Sequence, residues 1–124
     1  MLGSDQSRRV IFMATFRAAS SAVQYEAPHH FGVQSRRLQG LEASVTTNYW
    51  VAVSDFDPAG GASESPARGE TTYVGIAGEL TAHADGVDFI LNPGDSMHLV
   101  PGELRSIFNN SSEVASILVV IAPH

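Results

Sequence analysis

Along most of the chain, short runs of β-branched, aromatic and aliphatic residues are separated by clusters of Gly, Pro, Asn and Asp. Ser44 to Asp55, with Val45, Thr46, Thr47, Tyr49, Trp50, Val51 and Val53, predicts a long strand. Asp57-Pro58-Ala59-Gly60-Gly61 predicts its end, because Pro lacks an amide donor and paired glycines favour a turn. A mobile loop is expected from Ala62 to Gly69, then an extended run from Thr71 to Ala82, interrupted by Gly75 and Gly78. Ala84-Asp85-Gly86 marks a tight hairpin with Val87 to Leu91 as its return strand. Turns at Asn92-Pro93-Gly94-Asp95, Pro101-Gly102 and Asn109 to Ser112 separate strands at Ser96 to Val100, Arg105 to Asn109 and Ala115 to Ile121. The last is nearly continuous in apolar residues and fits a strand buried on both faces. At least six short strands with a turn every 6 to 12 residues indicate an all-β antiparallel sandwich or barrel rather than βαβ units. Val10 to Ala19 fits either a strand or a short helix.

The 124 residues suit a single domain, read here as N-terminal strands over residues 1–40 packing on a barrel of residues 41–124. A chain of this size buries enough surface to fold without cross-links. It has no cysteine, which removes thiolate nucleophiles, zinc knuckles, iron–sulfur clusters and disulfides and leaves chemistry to His, carboxylate, Arg, Tyr and hydroxyl groups. The net charge of −6, with Arg pairs only at Arg8-Arg9 and Arg36-Arg37, argues against nucleic acid as a partner. No apolar run approaches the roughly 20 residues that span a bilayer. A soluble, cytoplasmic protein that binds no membrane is therefore expected. Ser7 to Phe12 faintly resembles a twin-arginine export signal, but Arg17 interrupts the apolar segment that follows.

Two blocks of turns resemble the signature of the cupin superfamily, whose fold is a double-stranded β-helix of the jelly-roll kind. Pro58-Ala59-Gly60-Gly61, a loop, Tyr73-Val74 and Gly78-Glu79-Leu80 are similar to its first block. Leu91-Asn92-Pro93-Gly94-Asp95, Pro101-Gly102 and Asn109 are similar to its second. The resemblance covers about half the chain directly. Metal-binding members carry two His separated by one residue, then a Glu, and a last His in the second block. At those places this chain has Ser65 and Ala67 (Glu64 and Pro66 if the loop is one residue longer), Thr71 and Arg105. A one-residue slip offers Glu70 for the Glu but no His pair. Guanidinium has no lone pair to give a cation, so the resemblance implies the fold and a pocket, with no metal and no cofactor.

Strand alternation turns Thr71, Tyr73 and Gly75 inward and Glu70 and Thr72 outward, and places Arg105, Ile107 and Asn109 on one face. Arg105, Tyr73, Thr71 and Asn109 then converge in the barrel mouth. In the functional reading Arg105 grips a substrate carboxylate or enolate while Tyr73 or His98 transfers a proton. In the structural reading Arg105 pairs with Glu70, Glu103 or Asp95. His98 shares a face with Ser96 and Val100, and His29-His30 follows Pro28 in a loop placed to close over the mouth. Trp50 faces either the core or the pocket, and His83 is expected in solvent. No Gly-Xaa-Ser-Xaa-Gly elbow is present.

The expectation is a metal-independent enzyme acting by proton transfer on a small anionic metabolite, as an isomerase, lyase or decarboxylase-like protein. Its catalytic residues would be His98 and Tyr73, and its ligand contacts Arg105, Thr71, Asn109, Trp50 and His30. One alternative is a barrel that binds a ligand without turnover, expected if Tyr73 and His98 face solvent and a protein carboxylate ties Arg105. Another is a relocated metal site built from His29 or His30, Glu70 and His98. A homodimer is expected, with a strand near Val10 to Phe16 crossing to the partner.

Overall fold

The computed structural model describes residues 14–123. A three-residue 3₁₀ turn, Ala19–Ser21, leads into nine strands: β1 (Val23–Tyr25), β2 (His30–Gln39), β3 (Trp50–Pro66), β4 (Gly69–Ala77), β5 (Leu80–Ala84), β6 (Val87–Leu91), β7 (Ser96–Leu99), β8 (Leu104–Phe108) and β9 (Ala115–Pro123). All pairings are antiparallel, in the order β6-β5-β8-β3-β9-β4-β7, with β2 added on β3 and β1 on β2. The sheet curls into a nearly closed jelly-roll barrel. Among the described residues no helix is long and apolar enough to cross a membrane.

β3 organises the barrel by changing partners along its length. Trp50 to Phe56 pairs with β9, Gly61 to Pro66 pairs with β8, and β2 runs along the other side from Val51 to Phe56 and at Gly61 and Ala62. The segment read from sequence as a stop and a mobile loop is therefore strand as far as Pro66, and only Ala67 and Arg68 separate it from β4. Its glycines serve close backbone approach instead: a Cβ on Gly60 would meet the Gly32 carbonyl, and one on Gly61 the carbonyl of Ile107. Ala59 takes up the irregularity at φ 68°, and its amide donates to Asn109 at 2.9 Å.

The expected strand start at Ser44 is also corrected, to Trp50. Between Gly40 and Tyr49, hydroxyls capture the backbone before a ladder forms: the Gly40 amide donates to Ser44 Oγ at 2.8 Å, and Thr46 Oγ1 donates to the Tyr49 carbonyl. The Asp-Gly hairpin joins β5 to β6 with Asp85 and Gly86 at φ 53° and 71°, the left-handed pair such a turn requires. β9 lies between β3 and β4, with Ala115, Ile117 and Val119 buried and its outward row only half-buried.

Residues 14–18 are unpaired chain. They are held by Arg17, which donates to the carbonyls of Ala43 (2.8 Å) and Ser21 (2.7 Å). The export-like segment, and all but the end of the proposed crossing strand, lie outside the described residues; Phe16 itself is exposed and not in a strand. The core is built from inward positions of many strands, with Phe56, Leu80, Leu99 and Ile117 fully buried. Small residues (Ala52, Ala62, Ala82, Ala84, Ala115) fill the inward rows between them.

Candidate functional site

At the other part of the barrel the inward rows turn polar. Tyr73 of β4 and Arg105 of β8 face each other across the interior, on strands that are not neighbours in the sheet. Arg105 Nε donates to the Tyr73 hydroxyl at 2.9 Å, and its Nη1 donates to Ser65 Oγ (2.8 Å) and the Ser63 carbonyl (3.3 Å). Guanidinium only donates, so the Tyr73 oxygen accepts, and the phenol proton is left for another acceptor. Thr71 is buried beside them and donates to the Gly69 carbonyl at 3.0 Å. These groups line a cavity of about 380 Å³ whose apolar wall is Phe56, Ile107, Ile117 and Val119. That volume lies in the range of small-molecule sites.

The carboxylates proposed to neutralise Arg105 are engaged elsewhere. Glu70 faces outward to His98 Nε2 at 2.9 Å. Glu103 accepts the Val100 amide at 3.1 Å, and Asp95 the Asn92 amide at 3.0 Å. Among the described residues no carboxylate forms an ion pair with Arg105.

The structure brings Arg105, Tyr73, Thr71, Trp50 and His30 to the cavity. It leaves out two of the expected residues. His98 pairs in register with Thr72, whose side chain also points outward, so the two-residue period carries His98 to the outer surface and away from any ligand inside. Asn109 is fully buried but spent on the fold. Its Nδ2 donates to the carbonyls of Phe56 (2.9 Å) and Glu113 (2.8 Å), and its Oδ1 accepts from the amide (3.0 Å) and hydroxyl (2.7 Å) of Ser111.

His30 supplies the imidazole that His98 does not. Its Nδ1 lies 2.7 Å from the Pro28 carbonyl, which can only accept, so the proton is on Nδ1 and Nε2 is the bare nitrogen in the neutral ring. Burial holds its pKa below the ordinary 6.5, and the charges of Arg105 and His29 act in the same direction against the hydrogen bond to Pro28. The ring is thus neutral at pH 7.

Arg37, missed in the sequence, also borders the cavity. Its Nη1 reaches both oxygens of Glu42 at 2.9 and 3.0 Å, and its guanidinium carbon lies 3.9 Å from the Tyr25 ring centre and 4.5 Å from that of Trp50. The alternation that would have found it was present: Arg36 points out to Asp55 at 2.7 Å while Ser35 and Arg37 point in. It went unread because β2 had no assigned strand to alternate along.

Ser65, Ala67, Thr71 and Arg105, the positions where the resemblance would seat metal ligands, all line the cavity. Together they offer two hydroxyls, a methyl and a cation, and the donor set does not fit a transition metal. The relocated site fails as well, because Glu70 and His98 are on the outer face while His30 and the exposed His29 border the cavity. Among the described residues no group of three His, Asp or Glu side chains is placed to hold an ion.

The profile of the cupin domain matches residues 52–121, more than half of the chain. The protein belongs to the cupin family. This cupin is 46% identical over 104 residues to β-D-galactosidase Rv1717 of Mycobacterium tuberculosis, covering 84% of this chain and 90% of the relative. Its fold is similar to that of the polyketide cyclase RemF from Streptomyces resistomycificus, with a TM-score of 0.77 at 14% identity over 89% of this chain and 80% of that one. It is likewise similar to KdgF from Halomonas sp., with a TM-score of 0.74 at 12% identity over 90% of this chain and 96% of that one. The two structural likenesses concern the fold alone.

Proposed function

We propose that this cupin is a metal-independent acid–base enzyme acting on a small, anionic, sugar-derived metabolite. The observation that carries the reading is the Arg105–Tyr73 pair: a cation facing the cavity, bonded only to neutral partners, and holding a phenol whose proton is free to be given away. The Arg105 guanidinium is half-buried at the cavity with no carboxylate paired to it among the described residues, and a ligand carboxylate or enolate supplies the anion. His30 Nε2 takes a proton from the carbon next to the carboxylate. Arg105 stabilises the enolate that forms, and Tyr73 protonates a second carbon in an isomerisation or a departing hydroxyl in an elimination. A homodimer belongs to the same proposal. β6 ends the sheet with Val87, Phe89 and Ile90 exposed, and light scattering at micromolar concentration should return twice the chain mass.

The reading is tested by incubating the purified, chelator-treated protein with sugar acids such as D-galactonate in D₂O and following the proton next to the carboxylate by NMR. Solvent exchange or conversion is expected, persisting after chelation and lost in Arg105→Met. Activity that vanishes on chelation and returns with metal overturns it.

A second reading, hydrolysis of a β-galactoside, is supported by the relative named a β-D-galactosidase. The same groups would serve, with His30 activating water and Tyr73 protonating the departing oxygen. Against it, Glu26 is the single carboxylate residue on the cavity wall among the described residues, whereas glycosidases ordinarily use two. Release of nitrophenol from p-nitrophenyl β-D-galactoside, abolished by Tyr73→Phe, would favour this second reading over the first.

A further inference from the structure

Three arginines border the cavity, and they differ in what they are bound to. Arg37 is buried and its charge is met by Glu42, both of whose oxygens take Nη1. Arg105 is half-buried and has only neutral partners. Arg68 lies on the same wall but is exposed, as are Glu26 and His29, so these three mark where the cavity opens to water. Among the described residues neither Arg68 nor Arg105 forms an ion pair with a carboxylate. With Arg37 neutralised, the wall keeps Arg68 and Arg105 as cations against Glu26 alone, in a chain whose net charge is −6. A positive opening on an otherwise acidic protein draws anions toward it.

The backbone holds Arg68 at this rim. It lies in the short link between β3 and β4, where the Ala67 amide donates to the Glu103 carbonyl at 2.9 Å and the Ala67 carbonyl accepts the Gly102 amide at 2.8 Å. Ser65, which accepts from Arg105 Nη1, is three residues away, at most about 10 Å of chain. One small ligand in the cavity can therefore meet both guanidinium groups.

Resting on the reading above, we propose that Arg68 is a second anion subsite at the mouth of the cavity. The ligand is then a sugar acid charged at both ends, with a carboxylate on Arg105 and a further carboxylate or phosphate on Arg68. Because Arg68 stands in water, its contribution is modest and sensitive to salt. Glu26 on the same rim opposes the second anion, so the two side chains act with opposite signs.

The experiment compares acids in matched pairs by calorimetry at low salt: galactarate against D-galactonate, and 6-phospho-D-gluconate against D-gluconate. Within a pair the carboxylate for Arg105 is kept and only the far end gains charge. The doubly anionic member is expected to bind about fivefold more tightly, with the advantage shrinking at high salt. Arg68→Gln, at an exposed position where little folding energy is at stake, should remove the preference, and Glu26→Gln should enlarge it. A preference in both pairs supports the subsite, and a preference in one pair supports it and names the group that Arg68 takes. Equal or weaker binding of both doubly anionic acids, or a preference that survives unchanged in Arg68→Gln, overturns the subsite and leaves the Arg105 reading standing. If none of the four acids binds, both fall.

Discussion

Glu70 and Tyr73 stand three residues apart on β4, one outside the barrel and one inside, and each meets a basic side chain from another strand. Outside, Glu70 and His98 make an ion-pair geometry at 2.9 Å with both side chains at least half exposed. Inside, Tyr73 meets Arg105 with no carboxylate in reach among the described residues. The outer pair is complete and screened by water, so it asks for nothing further. The inner pair leaves a cation and a phenol proton unsatisfied in a cavity, and the proposed binding site rests on that incompleteness. A change on the inner face should therefore disturb ligand chemistry, and a change on the outer face should not.

The largest effect is expected for Arg105→Met, which removes the cation that faces the ligand. Affinity for a sugar acid such as galactonate should fall by about 10²–10³, read by calorimetry, because a charge-assisted contact is lost. Tyr73→Phe comes next. It keeps the ring and removes the hydroxyl, so kcat should drop by about 10² while KM and Tm change little. If both variants bind and turn over normally, the distinction between the two faces has no functional content.

Asn109 sharpens the comparison from another side, since it is buried without facing a ligand. Asn109→Ala abandons two donated and two accepted hydrogen bonds around Phe56, Ser111 and Glu113. A stability loss of about 2–4 kcal/mol is expected, seen as a Tm drop on the order of 10 °C, with normal turnover by the protein that remains folded.

These three residues also show what could be read from the chain alone. The period of two was enough to turn Thr71 and Tyr73 inward and Glu70 outward, since one buried face fixes register along a strand. It did not separate Asn109 from Arg105, because both point inward and only three-dimensional neighbours show that one is fully bonded and the other is not. His98 was misplaced for a similar reason: alternation groups it with Ser96 and Val100 but cannot say which face that group occupies. The stretch from Asp57 to Gly69 was read as turn and loop because Pro and Gly signal turns locally, whereas here the glycines admit neighbouring backbones from β2 and β8. Arg37 escaped because its significance comes from Tyr25, Glu42 and Trp50, which chain folding assembles from two strands and a turn.

A smaller effect, on pH dependence, concerns His30. Its folded pKa lies below 6.5, chiefly through burial. Between that depressed value and 6.5 the unfolded chain binds more protons than the folded one, so His30 makes stability fall as the pH drops through this window and adds no slope above it. Under the proposed mechanism, with His30 as the base, the same neutral ring is expected to set the acidic limb of kcat/KM below pH 6.5. Replacing it, as in His30→Gln, should remove that limb from the activity that survives and flatten the stability profile over the same range.

The smallest effect belongs to the outer face. Glu70→Gln cancels the charge that meets His98 but keeps a side chain of the same size able to accept from an imidazole. An exposed pair of this kind contributes about 0–1 kcal/mol, because water screens the attraction and ordering two long side chains offsets part of it. Chemical denaturation should therefore move by less than about 1 kcal/mol, less still at high salt, and turnover should match the unaltered protein. A large loss of turnover in Glu70→Gln with the fold intact would mean that chemistry reaches the outer face of β4, and the division between a complete pair outside and an incomplete one inside would have to be abandoned.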